Sequence, residues 1–370
     1  MPGLRYQKST IKEVAAQAGV STTTVSLFVS GHEDVCSSHT AALIRTAISD
    51  LHYTPSSLTR GLRRKAAMTL GVCLPNPLDA DIIYGQSFLE PLWRGIMAQA
   101  DVENYSLLHF PKAVREGTSC DAFLDGRVDA MLLLEHSNDR SPHLAAAGMP
   151  TILLARSLDL PDGCGSVYTD EIQAAAMALS HLWALGHRRI AHIAGPVGAR
   201  APRGAVPAAW TALWCDDVAV QRLDGYQTWM RQHQVYDPDL VTFAQAWSAP
   251  EVMEALNGWL SLKEPPTAVF CANDEQARDL IIAAHQRGLS IPTDLSIVGV
   301  DNSSRDPGGN TPLTSIDAGL EEIGREAVRA LLRLMNGNPV EDCRVALPPA
   351  RLVVRHSTGA RAGKLSSARV

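Results

Sequence analysis

Two apolar helical stripes separated by one glycine, between Thr10 and Gly31, restrict the start of this chain to a pair of short helices packed at an angle. Ile11, Val14, Ala15 and Ala18 recur at i, i+3, i+4 and i+7, one face of a helix. Thr10 and Glu13 stand at capping-box spacing and mark its start. Gly19 permits the tight turn, and Val20 plugs the angle between the helices. Ser21 is placed to cap a second helix, on which Val25, Phe28 and Val29 form the inward face. A third stripe, Ile44, Ala47, Ile48 and Leu51, starts at Ser37 or Ser38. Helices joined in this way fit the second of them into the major groove of double-stranded DNA.

Beyond Tyr53 the sequence reads Thr54-Pro55-Ser56-Ser57-Leu58-Thr59-Arg60-Gly61-Leu62-Arg63-Arg64-Lys65. Pro55 suits the first turn of a helix. Gly61 costs about 1 kcal/mol relative to alanine there, and so short a helix is marginal in water. The expectation is a linker that becomes helical only against DNA, with Leu62 wedged between base steps and its arginine neighbours on phosphates. Charge agrees with that division. Residues 1–65 hold eight Lys/Arg against four Asp/Glu, a net of +4, which leaves −10 of the chain's total of −6 for the remainder. A basic head on an acidic body confines phosphate contact to the head.

From Thr69 onward, short apolar runs alternate with helical stretches. Residues 70–74, 106–110, 130–134, 151–154, 190–193, 268–271 and 296–300 read as buried strands. Residues 90–103, 171–185, 275–287 and 320–334 read as helices. That rhythm predicts parallel sheets flanked by helices, in two lobes, with a ligand crevice at the carboxyl ends of the strands. The seven cysteines are scattered without any C-x-x-C pair, which argues against a disulfide framework or a zinc site and for a reducing cytoplasm. No apolar run has membrane-spanning length, and the first residues lack a signal-peptide core. No phosphate-cradling, H-E-x-x-H or G-x-S-x-G motif supports an enzyme, and no cofactor or metal is expected; His187 and His192 suit structural roles. A transport solute-binding protein would explain the body but leave the basic head without a purpose.

Several segments in order carry a resemblance: Thr10–Ala15, Ala18–Ser26, Tyr53–Ser56, Val128-Asp129, Leu185–Ala191, Arg222–Tyr226, Ala272–Asp274, Leu295–Asp301 and Pro312–Ile316. The chain resembles the lactose/galactose-repressor (LacI/GalR) type of bacterial transcription regulator over roughly residues 10–357. The resemblance implies an all-α helix-turn-helix head and an α/β two-lobed, periplasmic-binding-protein-like effector domain with parallel sheets, whose lobes exchange strands. It also implies a homodimer, a palindromic operator and allosteric control of a repressor by a small, sugar-like effector in the inter-lobe cleft. The expected organisation is a head at 1–54, a hinge linker at 55–68, an effector domain at 69–357 and a disordered tail at 358–370.

By that register Thr22, Thr23 and Leu27 face base edges, while Thr10, Ser21, Thr24, Ser26, Ser56, Arg60 and Arg63 join Leu62 in holding the duplex. Leu27 lies off the Val25/Phe28/Val29 stripe, so it either points outward to a thymine methyl or packs on the third helix. Many relatives carry arginine there. In the body, Phe88, Arg156, Arg222, Asn273 and Asp301 match effector-lining positions. The plainer readings are core packing for Phe88, a salt bridge between lobes for Arg222 and a loop cap for Asp301. Arg222 is expected to precede a helix, after a long Ala/Pro-rich insertion from Pro196 to Gln221 that holds Trp210 and Trp214. Asp301-Asn302 replaces an Asp-Asp pair common among relatives.

Overall fold

A computed structural model describes residues 9–29, 32, 35–53, 66–74, 86–110, 112–115, 119–134, 140–197, 216–244, 247, 252–302, 311–349 and 351–361. The chain divides into two compact units, 1–68 and 69–370. The expected linker helix, with Ser56, Arg60, Leu62 and Arg63, lies outside the described residues, and so do Trp210 and Trp214.

Among the described residues of the first unit there are three helices: α1 (Ile11–Ala18), α2 (Thr22–Val29) and α3 (Ser38–Asp50). Thr10 caps α1 in a complete capping box, and Gly19 ends it in the left-handed region at φ 67°. The Ser21 hydroxyl accepts from Thr24 N at 3.1 Å, and Ser37 caps α3 through Thr40 N at 3.2 Å. Val14, Ala15, Ala18, Val25, Phe28, Ala41, Ile44 and Ala47 are buried together, with Val20, Ile48, Leu51 and Tyr53 packed against them. Each large apolar side chain so buried contributes about 1.5–3 kcal/mol, a sufficient reason for three otherwise marginal helices to persist. Gln17 donates to Asp50 at 3.0 Å, tying the first helix to the third.

The described residues of the second unit form two six-stranded sheets. The first lobe uses β1 (Thr69–Cys73), β2 (Ser106–His109), β3 (Ala130–Leu133), β4 (Thr151–Leu154) and β5 (Cys164–Thr169), with α4 (Gln86–Val102), α5 (Lys112–Arg115) and α6 (Ser141–Ala146) between strands. The second lobe follows: α7 (Glu171–Ala184), β6 (Ile190–Ala194), α8 (Asp217–Gln232), β7 (Val241–Phe243), α9 (Val252–Leu260), β8 (Ala268–Cys271), α10 (Asp274–Gln286), β9 (Ser296–Val300) and β10 (Thr314–Asp317). The chain then returns to the first lobe as α11 (Leu320–Met335) and β11 (Arg344–Leu347), and ends in the second sheet as β12 (Arg351–Val353). The sheet orders are β11-β5-β4-β3-β1-β2 and β12-β10-β9-β8-β6-β7. All pairs are parallel except β10 with β12. Each lobe is therefore discontinuous in sequence, and three crossovers join them, after β5, β10 and β11. Helix α11 is held on the first lobe by close contact with α4: a Cβ on Gly324 would fall 2.3 Å from the Leu92 carbonyl oxygen.

Two features of this unit differ from what the sequence predicts. Arg222 does not precede a helix; it lies inside α8, which starts behind an Asp216 cap. The expected tail at 358–370 begins too early, because Thr358–Arg361 are packed on the second lobe. Ser357 and Thr358 are buried, His187 meets the Gly359 carbonyl at 3.0 Å, and Arg361 N donates to Leu185 O at 2.9 Å. In sequence these residues look solvated, but their hydrogen bonds reach the end of α7, the turn before β6 and the starts of β9 and β10.

Candidate functional site

On the head, Ser21, Thr22 and Thr23 are exposed at the start of α2, while Thr24, Ser26 and Leu27 are half-buried. The Ser21 and Thr24 hydroxyls share a hydrogen bond at 2.9 Å. Leu27 is outside the apolar cluster that fills the head, although it is flanked by Val25 and Phe28, which belong to it. Its isobutyl group is thus an apolar surface on a helix otherwise presenting hydroxyls. The Thr10 backbone N–H and hydroxyl both donate to Glu13 Oε2, at 2.6 and 2.9 Å, and those bonds hold the Glu13 carboxyl below its ordinary range.

In the second unit, a partly open cleft, about 500 Å³ with the solvent at its open mouth counted in, lies where strands of both sheets end. The first lobe contributes Phe88, Leu134 after β3, and Leu154, Ala155 and Arg156 at the end of β4. The second contributes Asp216, Asp217, Val218 and Arg222 from the start of α8, Trp247, Asn273 after β8 and Asp301 after β9. All five body residues expected at the cleft from sequence therefore line one cavity. Phe88 also packs against the main apolar core, so its two readings describe the same side chain.

Arg222 is the electrostatic centre. Its Nε lies 2.6 Å from Glu171 Oε2, a second nitrogen donates to Ala272 O, and the third lies 3.6 Å from Asp301 Oδ1. Burial opposes its charge, and the carboxylates of Glu171 and Asp301 outweigh that, raising its pKa above the usual arginine value. Burial pushes the Glu171 and Asp301 carboxyls up, against the pull of Arg222. Both carboxyls and the arginine belong to the second lobe, so the ion pairs do not bridge the lobes. Asp301 Oδ1 is buried and, among the described residues, accepts no hydrogen bond. A buried acceptor without a donor costs on the order of 1–3 kcal/mol, so a donor arriving in the cleft has a free-energy gain waiting there.

Asn273 is more committed than the sequence suggested. Its Oδ1 caps α10 through Gln276 N at 2.9 Å, and its Nδ2 donates to Trp247 O at 3.1 Å. Trp247 in turn donates to Asp216 Oδ2 at 3.2 Å, and the Arg222 guanidinium lies 5.7 Å from its ring centre. Arg156 is buried, donates to the carbonyls of Leu158 and Asp159 at 3.3 Å, and lies 3.8 Å from Asp217 Oδ2. Asp217 also accepts from Leu158 N at 3.0 Å, and Gln221 donates to Ser157 Oγ at 2.7 Å. These bonds join the lobes across the cleft rim.

Sequence reading missed Asp216, Asp217, Gln221 and Trp247. The signal for the first was an acidic pair ahead of the stripe Val218, Leu223, Tyr226, Met230, a helix start with negative charge near its amino end. Trp247 carried no such signal.

Residues 10–56 match the family described as bacterial regulatory proteins, lacI family, and residues 179–358 match a periplasmic binding protein-like domain. Over 364 residues the chain is 31% identical to the HTH-type transcriptional repressor CytR of Escherichia coli strain K12, spanning 95% of this chain and 97% of that protein. It is 26% identical to the NTD biosynthesis operon regulator NtdR of Bacillus subtilis strain 168, spanning 94% and 99%. Among solved structures it is similar to a lac repressor dimer bound to operator and the anti-inducer ONPF, with a TM-score of 0.75, 25% identity and coverage of 96% and 100%. It is also similar to the transcriptional regulator CelR in complex with cellobiose, with a TM-score of 0.64, 26% identity and coverage of 95% and 100%.

Proposed function

The chain belongs to the lacI family of bacterial regulatory proteins, and on that premise we propose that it is a cytoplasmic repressor that grips a palindromic operator as a homodimer and is switched by a small molecule in the inter-lobe cleft. The observation that carries the reading is Asp301 Oδ1, a buried oxygen in the wall of a two-lobed cleft that accepts no hydrogen bond among the described residues, in a chain that opens with a capped helix-turn-helix. An uncharged, hydroxyl-rich ligand such as a sugar or sugar derivative supplies that donor, and Phe88 and Trp247 offer apolar faces to its ring. Thr22, Thr23 and Leu27 meet base edges, and Ser21, Thr24 and Ser26 position the helix on phosphates. A ligand that favours one lobe arrangement over the other alters the dimer's fit to DNA by that difference in affinity.

The test is a mobility-shift titration of the full chain on promoter fragments from its own locus, with and without members of a sugar, polyol and nucleoside panel first screened by thermal shift. The expected result is a specific shift that at least one stabilising compound changes. Failure to shift any fragment at low ionic strength defeats the reading.

A further inference from the structure

Asp301 and Asn302 are consecutive non-glycine residues in positive-φ backbone, at φ 107° and 49°. Such conformations are costly for L-residues, asparagine being the more tolerant, and they persist where the surroundings over-determine them. Here the surroundings are specific. Asp301 N donates to Ile316 O at 2.9 Å, and Asn302 N donates to Ser315 Oγ at 3.0 Å. The Asn302 amide is engaged on both sides: Nδ2 donates to Asp317 Oδ2 at 3.3 Å, and Oδ1 accepts from Arg355 at 2.6 Å. Arg355 is itself fixed by donation to Leu313 O at 2.6 Å.

Asp317 stands where the chain leaves the second sheet for the first lobe. Its other oxygen accepts from Gly319 N at 3.0 Å, at the start of α11, and the next carbonyl, Ala318 O, accepts from Thr169 Oγ1 at 2.8 Å, at the end of β5. One asparagine side chain therefore connects the turn carrying the Asp301 carboxylate to a crossover between lobes. An aspartate at 302 cannot do this: it lacks the donor and sets a second carboxylate against Asp317. We propose that Asn302 is a positioning residue, whose amide, clamped between Asp317 and Arg355, holds Asp301 in its ligand-facing turn and makes that turn depend on the β10–α11 crossover. The proposal rests on the reading of the cleft as a ligand site, and deepens it by naming the residue through which occupancy and lobe arrangement communicate.

The experiment compares full-length wild type with Asn302→Asp, Asn302→Ala, Asp317→Asn and the Asn302→Asp/Asp317→Asn double variant. The double variant restores the missing hydrogen bond with donor and acceptor exchanged, a rescue that a generally weakened fold would not show. Amide exchange is followed in the segments 299–302 and 315–319, which needs no ligand. The expected result is at least tenfold faster exchange of both segments in Asn302→Asp and Asn302→Ala, and return to within twofold of wild type in the double variant. Exchange within twofold of wild type in both single variants at 302, or a double variant no slower than Asn302→Asp, overturns the clamp. Calorimetric titration with D-ribose, cellobiose and adenosine is run on the same set. For a probe that wild type binds, Asn302→Asp is expected to lose tenfold in affinity and the double variant to regain it; unchanged affinity overturns the positioning role. Failure of all three probes on wild type counts against the choice of ligand class alone, because the exchange measurement judges the clamp separately.

Discussion

Arg222 faces Asp301 across 3.6 Å without a hydrogen bond, while the same guanidinium is bonded to Glu171 at 2.6 Å. The two carboxyls are thus unequal partners of one buried cation. Removing the cation leaves both in a low-dielectric wall, a loss of about 3–5 kcal/mol for a broken buried pair. Removing the charge on Asp301 leaves the Arg222–Glu171 pair intact and relieves a carboxyl that burial already pushes up. In denaturant unfolding of the full chain, Arg222→Met is expected to be destabilised by that amount, and Asp301→Asn to stay within about 1 kcal/mol of wild type. A larger loss in Asp301→Asn than in Arg222→Met contradicts this ranking.

Leu27 sits on α2 as a half-buried apolar side chain among hydroxyls, outside the head's core. A leucine has no donor for guanine but can contact a thymine methyl. Leu27→Arg is expected to move one position of each half-site toward guanine, with a discrimination of about 1–3 kcal/mol. Binding-site selection on both proteins reads this directly, and identical base preferences at every position remove Leu27 from the readers.

Much of this was legible because the physics acts locally. The Thr10–Glu13 box, the Ser21 and Ser37 caps, the uniform apolar runs of β3 and β8 and the Ile-Leu-Leu run of β4 each report their element without help from the rest of the chain. What was hidden depends on partners distant in sequence. In α8 the stripe Val218, Arg222, Tyr226, Met230 contains an arginine because Glu171 and Asp301 meet it there, so the helix looked broken and Arg222 looked like loop. β5 (Cys-Gly-Ser-Val-Tyr-Thr) is small and polar because Gly165 lies under Ile152 and Cys343, and because Ser166 and Thr169 donate to carbonyls of other segments. The apposition of Phe88 and Asp301 in one cleft depends on the packing of two lobes, which no local periodicity encodes.

Asp217 and Gln221, on one face of α8, hold Leu158 N and Ser157 Oγ of the opposite lobe at 3.0 and 2.7 Å. Each bond contributes about 0.5–1.5 kcal/mol, so together they bias the lobes toward this arrangement by an amount comparable to a ligand's differential binding. Asp217→Ala/Gln221→Ala is expected to widen the ensemble, seen as a larger radius of gyration of the full chain by small-angle scattering. It should also weaken binding of whichever screened compound stabilises the wild type, by about tenfold. Scattering and affinity both equal to wild type show that the rim bonds do not set the lobe equilibrium.

His192 is fully buried between Tyr226 and Phe270, with ring centres 4.8 Å from each, and bonds through Nδ1 to Phe270 O at 2.8 Å. Burial lowers its pKa from 6.5 to about 4. Between those values the unfolded chain takes up a proton that the folded one refuses, so this group's contribution to stability is complete above pH 6.5 and is lost as pH falls toward 4, by about 3 kcal/mol. The raised carboxyls of Glu171 and Asp301 have the opposite sign, since the folded state then holds the extra proton and gains stability as pH falls. The comparison must therefore be between proteins rather than along one curve. His192→Phe keeps an aromatic ring between its neighbours and removes the titration; its own lost hydrogen bond lowers stability at every pH. The unfolding free energy of wild type minus that of His192→Phe should accordingly fall by about 3 kcal/mol from pH 7 to pH 4, in the variant's favour. A difference that stays constant across that interval means that the ring accepts its proton in the folded core as readily as in the unfolded chain.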